Sequence, residues 1–124
     1  MLVSLLLALL GLFVMIEHFK AGKQLSVHEV TRMINGDEAV LVDLRDAREY
    51  QAGHIHHAIS LPMSQLTARV QELQGVRGKA IVLIDKLGHQ SATAGRQLRK
   101  YGFQVHRLRG GMAEWHAQSL PTVC

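Results

Sequence analysis

Ile81-Val82-Leu83-Ile84-Asp85-Lys86-Leu87-Gly88-His89-Gln90-Ser91-Ala92-Thr93-Ala94-Gly95-Arg96-Gln97-Leu98 decides how the 124-residue chain reads. Four consecutive β-favouring apolar residues predict a strand buried on both faces. Ser91 is placed to cap a helix, in which Ala94, Leu98 and Tyr101 recur at helical spacing. A short loop from the carboxyl end of a parallel strand into a helix N-terminus gathers several backbone N–H groups around one point. Such a cradle suits an anion or an attacking group. Any chemistry in this chain is therefore expected in the loop 85–91.

Downstream, Tyr101-Gly102-Phe103 leads into a predicted strand over 104–108 and then into Gly110-Gly111-Met112-Ala113-Glu114-Trp115. Paired glycines permit a sharp turn, and Trp115 is expected to pack a final helix on the core. Upstream, residues 39–44 form a strand that stays apolar until its carboxyl end. Asp43-Leu44-Arg45, Glu49-Tyr50, Gly53-His54-Ile55, Ala58 and Pro62 follow it. Asp43, Arg45 and Glu49 at a strand end read as a network that ties down loops rather than as catalytic acids.

Leu66, Val70 and Leu73 give a helix from Ser64 to about Gln74 one apolar face, and 75–79 reads as a turn into the central strand. Ser26-Val27-His28-Glu29 has the form of a capping box. Val27, Val30, Met33 and Ile34 line one side of the helix it opens, and Asn35-Gly36 ends that helix.

These motifs, in this order from Leu25 to about Pro121, resemble the rhodanese-like domain family. Alternating strands and helices already point to an α/β fold. The resemblance implies a mainly parallel sheet flanked by helices on both faces, with Asp43, Arg45, Glu49, Tyr50, Gly53, His54, Gly110, Gly111 and Trp115 as its structural motif.

In that family a cysteine opens the loop directly after the strand, and Asp85 stands in its place here. A carboxylate cannot carry a persulfide, and its charge would repel thiosulfate. Gln90 replaces the family's late-loop arginine, although Lys86 supplies one positive charge. The resemblance thus implies a sulfurtransferase scaffold with no catalytic residue. Asp85, Lys86, Leu87, Gly88, His89, Gln90 and Ser91 would be the remnant of its loop, with Asp85 accepting hydrogen bonds from the loop's own amides.

Composition adds a second segment. The chain is 48% hydrophobic and 19% charged, and residues 1–16 carry no charge. Glu17, His18, Lys20 and Lys23 then mark a polar boundary. A 16-residue helix spans roughly 24 Å at about 1.5 Å per residue, short of the ~20 residues that usually cross a bilayer; Phe19 and the stems of Lys20 and Lys23 could extend it.

The expected organisation is a transmembrane anchor over 1–19, a linker over 20–24 and a domain over 25–124. Basic residues after the apolar run place the domain in the cytoplasm. The family's small single-pass members in bacterial inner membranes imply the same location. A cleaved signal peptide is the rival reading, but residues 1–16 lack a basic start and no small-x-small site precedes Lys23, so a retained anchor is expected instead.

The single cysteine, Cys124, cannot form an internal disulfide. As the last residue it offers one alternative function, a sulfur carrier with its own thiol. His54, His56 and His57, with His89, offer another, a zinc, copper or nickel site. No cysteine near them completes a ligand set, and neither metal nor cofactor is expected. Arg96, Arg99, Lys100, Arg107 and Arg109 suit an anionic lipid surface or an acidic protein partner better than nucleic acid, because 5% aromatic residues leave little to stack bases. The first reading is therefore a membrane-tethered binding or scaffolding module with an unknown protein partner.

Overall fold

The computed structural model describes residues 1–76 and 78–124, and for residues 17–20 the backbone alone. Arg77, inside the predicted turn 75–79, lies outside the described residues, as do the side chains of the predicted boundary Glu17, His18, Phe19 and Lys20.

In chain order the elements are α1 (Leu2–Lys20), β1 (Lys23–Leu25), α2 (Val27–Asn35), β2 (Ala39–Asp43), α3 (Ala47–Ala52), β3 (Ile59–Ser60), α4 (Leu66–Arg69), β4 (Ala80–Ile84), α5 (Ser91–Lys100), β5 (Val105–Leu108) and α6 (Gly111–Ala117). The sheet order is β1-β5-β4-β2-β3 and every pairing is parallel.

β4 sits at the centre, and Ile81 to Ile84 are each 0% exposed. Their side chains alternate, as a pleated strand requires. Ile81 and Leu83 enter a core with Leu66, Leu73, Ala94 and Leu98, whereas Val82 and Ile84 enter one with Val27, Val30, Met112 and Trp115. Helices thus cover both faces. Each such side chain contributes about 1.5–3 kcal/mol on burial, which is why this short run anchors the domain.

The capping box of α2 forms as read. The Glu29 amide donates to Ser26 Oγ and the Ser26 amide to Glu29 Oε1, both at 3.2 Å. Trp115 is buried, and its indole N–H donates to the Pro121 carbonyl at 3.0 Å.

Several expectations change. The transmembrane helix and the single-pass placement in the bacterial inner membrane are not supported. Among the described residues no helix is long and apolar enough to cross a membrane. α1 has 19 residues, and its uncharged run ends at Ile16, about 24 Å against a hydrocarbon thickness of about 30 Å.

Lys23 and Gln24, read as linker, pair in β1 with His106 and Arg107. Gly95 allows this close entry, because a Cβ there would fall on the Ala21 carbonyl oxygen. The predicted helix from Ser64 is α-helical over Leu66–Arg69 and 3₁₀ over Met63–Gln65 and Val70–Val76. Leu66, Val70 and Leu73 still reach the core.

Candidate functional site

The carboxyl edge of the sheet carries the loop from β4 to α5. Asp85 follows Ile84 directly and is 2% exposed. Its carboxylate accepts the amides of Gly88 at 2.6 Å, Gln90 at 2.7 Å and Ser91 at 3.0 Å. The expected bonding of Asp85 to its own loop is therefore present.

This changes the predicted cap of α5. Gln90 occupies the cap position without a side-chain hydrogen bond, Ser91 begins the helix, and Ser91 Oγ donates to the Gly88 carbonyl at 3.3 Å. The free amides at a helix start need acceptors, and Asp85 supplies them from six residues upstream.

Gly110 and Gly111 close the loop from below. The amides of Met112 and Ala113 donate to the carbonyls of Asp85 and Lys86 at 2.8 and 3.0 Å. Gly111 has φ +60°, and a Cβ there would lie 2.8 Å from Asp85 Oδ1, so a side chain would push into the carboxylate. Arg107 on β5 is buried, and its Nε donates to the Gly22 carbonyl at 3.0 Å. Burial lowers its pKa from the ordinary value, while the Asp85 charge acts in the opposite direction.

The second wall comes from the loop after β2. Asp43 is fully buried, and its carboxylate receives Arg45 Nε at 3.0 Å and Nη2 at 2.8 Å. The same Nη2 donates to the Gly53 carbonyl at 2.8 Å. Arg45 is thus the bracket between the strand end and the chain leaving α3, a bidentate geometry lysine cannot copy.

Asp46 caps α3 by accepting the Glu49 amide at 2.9 Å. Tyr50 and His54 stack with ring centroids 3.7 Å apart, Tyr50 Oη donates to the Ala58 carbonyl at 2.6 Å, and His54 Nδ1 lies 2.8 Å from the Tyr50 carbonyl oxygen.

Between these walls lies a cleft of about 430 Å³, bordered by Arg45, Glu49, Met63, Asp85, Lys86 and His89 among others. A second cleft of about 360 Å³ adjoins it across Arg45, Glu49, Lys86 and Leu87 and reaches Met112, His116 and Thr122. Asp46 and Ser64 in the first cleft, and His116 and Thr122 in the second, were not singled out from sequence. An Asp-x-x-Glu cap signal marks Asp46, whereas no local pattern marks Thr122.

The histidines do not converge. His54 is stacked on Tyr50, His56 and His57 touch each other at 3.8 Å, and His89 borders the first cleft. Among the described residues no group of three or more His, Cys, Asp and Glu side chains could hold a metal ion. Cys124 is exposed, with Sγ 3.7 Å from the Ala52 carbonyl oxygen. The tail is pinned there by mutual backbone hydrogen bonds between His54 and Val123.

A parallel sheet with a strand–loop–helix cradle at its carboxyl edge, braced by an Asp–Arg pair from the neighbouring strand, defines an α/β domain of the rhodanese type. The family model for the rhodanese-like domain matches residues 26–118, and the chain belongs to that family.

It is 39% identical over 97 residues to the uncharacterized protein YibN of Escherichia coli strain K12, covering 77% of this chain and 68% of that one. A rhodanese-related protein from Thermoplasma volcanium superposes with a TM-score of 0.75 at 25% identity, over 82% of this chain and 97% of that one. A thiosulfate sulfurtransferase from Pseudomonas aeruginosa superposes with a TM-score of 0.72 at 25% identity, over 86% of this chain and 22% of that one.

Proposed function

We propose that this rhodanese-like domain has no sulfurtransferase activity and acts as a binding module through the cleft at the carboxyl edge of its sheet. One observation carries the reading. The cradle that would receive an anionic sulfur donor is occupied by the chain's own carboxylate, which takes three loop amides. The resemblance of the loop implies that Asp85, directly after β4, takes the position at which the family's nucleophilic cysteine opens the loop. Aspartate offers no sulfur to attack a sulfane donor or to hold the transferred atom. The family's fold-sharing phosphatases and arsenate reductases also need a loop cysteine, so the same argument removes their chemistry.

The experiment is a thiosulfate-to-cyanide sulfur transfer assay on the chain beside its Asp85→Cys variant. No transfer by the parent is expected, with measurable transfer by the variant. Transfer by the parent overturns the proposal, and a Cys124→Ser variant then shows whether the terminal thiol carries it.

A further inference from the structure

Three charged side chains, Arg45, Glu49 and Lys86, border both clefts, and Arg45 is already engaged by Asp43. Glu49, in the first turn of α3, and Lys86, in the loop after β4, are shared by the linings of the 430 Å³ and 360 Å³ spaces. Among the described residues, neither the Glu49 carboxylate nor the Lys86 ammonium makes a hydrogen bond or ion pair with the other or with any neighbour. The neighbouring charges differ in this respect. Arg45 is held by Asp43 and Gly53, Asp46 caps α3, and Asp85 is saturated by amides.

Beside the pair, Leu87 is 54% exposed, an apolar side chain standing at the boundary of the two clefts. Met63 borders the first cleft and Met112 the second. Among the described residues the site thus offers Glu49 as a free anion, Lys86 as a free cation and Leu87 as an apolar contact, in a volume of the size that holds small molecules.

We propose, resting on the binding-module reading, that this site takes a small zwitterion of the amino-acid or short-peptide type. Its ammonium meets Glu49, its carboxylate meets Lys86, and an apolar side chain lies on Leu87. Charge complementarity argues for this ligand class. A simple anion would face Asp46, Glu49 and Asp85, and a simple cation would face Arg45 and Lys86. A molecule carrying both charges, spaced to fit, is repelled by neither.

The test is calorimetric titration of the full-length chain, kept dispersed in a mild detergent because α1 exposes apolar side chains, with alanyl-leucine, N-acetyl-alanyl-leucine, alanyl-leucinamide and free leucine. Saturable binding of alanyl-leucine is expected, with the acetylated and amidated forms each about tenfold weaker, the loss of one charged contact. Free leucine separates a single amino acid from a peptide as the preferred source of the two charges. Glu49→Gln should erase the penalty for acetylation alone, and Lys86→Met the penalty for amidation alone. Both positions lie outside the core, and an unchanged melting temperature checks that the fold is kept.

Equal binding of all three dipeptides, or no saturable binding of any probe, overturns the ligand assignment. The sulfur transfer assay on the same preparation decides the underlying reading separately. An inert parent that ignores the dipeptides removes the zwitterion and leaves the binding module. An active parent removes the binding module itself.

Discussion

The carboxylate of Asp85 accepts the amide of Ser91 at 3.0 Å, so the start of α5 is capped by a side chain at the end of the strand before it. Strand, loop and helix are therefore joined by one buried group as well as by the chain. Asp85→Ala strands the amides of Gly88, Gln90 and Ser91 and is expected to destabilise the fold by about 3 kcal/mol, since a buried unsatisfied polar group costs about 1–3 kcal/mol. Asp85→Asn retains one acceptor oxygen and should lose less. Urea unfolding of the three proteins measures the order, and an Asp85→Ala variant as stable as the parent would remove the structural role assigned to this carboxylate.

Asp43 and Arg45 form a second buried bracket. Removing one partner leaves the other charge unmatched away from water, which costs about 3–5 kcal/mol for a buried pair. Arg45→Met should show this loss, and Arg45→Lys a large part of it, because lysine cannot reach both carboxylate oxygens and the Gly53 carbonyl together. Chemical denaturation at neutral pH gives the comparison. A loss below about 1 kcal/mol for Arg45→Met, the scale of a surface pair, would contradict the buried bracket.

Gly95 marks where the chain enters the sheet. Gly95→Ala places a methyl group on the Ala21 carbonyl, and overpacking of this kind costs about 1–3 kcal/mol. The damage should concentrate at β1. Amide hydrogen exchange is the measurement, with faster exchange expected for the Arg109 amide, which donates to the Leu25 carbonyl at 2.9 Å, and little change at β2. Uniform acceleration across the sheet would show that the junction is not a local lock.

His106 predicts a pH dependence. Its pKa is lowered from 6.5, first by burial and then by the positive charges of Lys23 and Arg99, and its Nδ1 is buried without a partner among the described residues. Above about 6.5 both folded and unfolded forms are neutral here, and the group contributes nothing to the slope. As pH falls below 6.5 the unfolded chain takes up the proton and the folded chain resists it, so stability declines until the lowered folded pKa is passed. Unfolding free energies between pH 7.5 and pH 5 should therefore slope less in His106→Gln than in the parent. Parallel slopes would assign the dependence to other groups.

The sheet was legible because β4 is written as an unbroken apolar run and the capping box, the Asp-x-Arg turn and the paired glycines are all local signals. Their chemistry acts within a few residues, so each predicts its own geometry. β1 and β3 escaped notice for the opposite reason. Lys23–Leu25 and Ile59–Ser60 are too short to show a period and are held by partners far along the chain. The cap of α5 was misassigned for a related reason. Ser91 has the usual residue type, but Asp85 reaches the same amides from the buried strand end and leaves the serine inside the helix.

Residues 1–16 show where composition misleads. An uncharged run predicts burial in something apolar, but crossing a bilayer is a question of length as well as hydropathy, and α1 falls short.

Sequence alone determined the α/β class, the central strand, the position of the loop and the identity of the residue that opens it, because these depend on patterns and chemistry carried by neighbouring residues. Tertiary structure alone decided that Asp85 saturates the cradle, that Arg45 is engaged while Glu49 and Lys86 have no partner among the described residues at the boundary of two clefts, and that the tail reaches Ala52. Those facts depend on distances between segments far apart in the chain, and no local period records them.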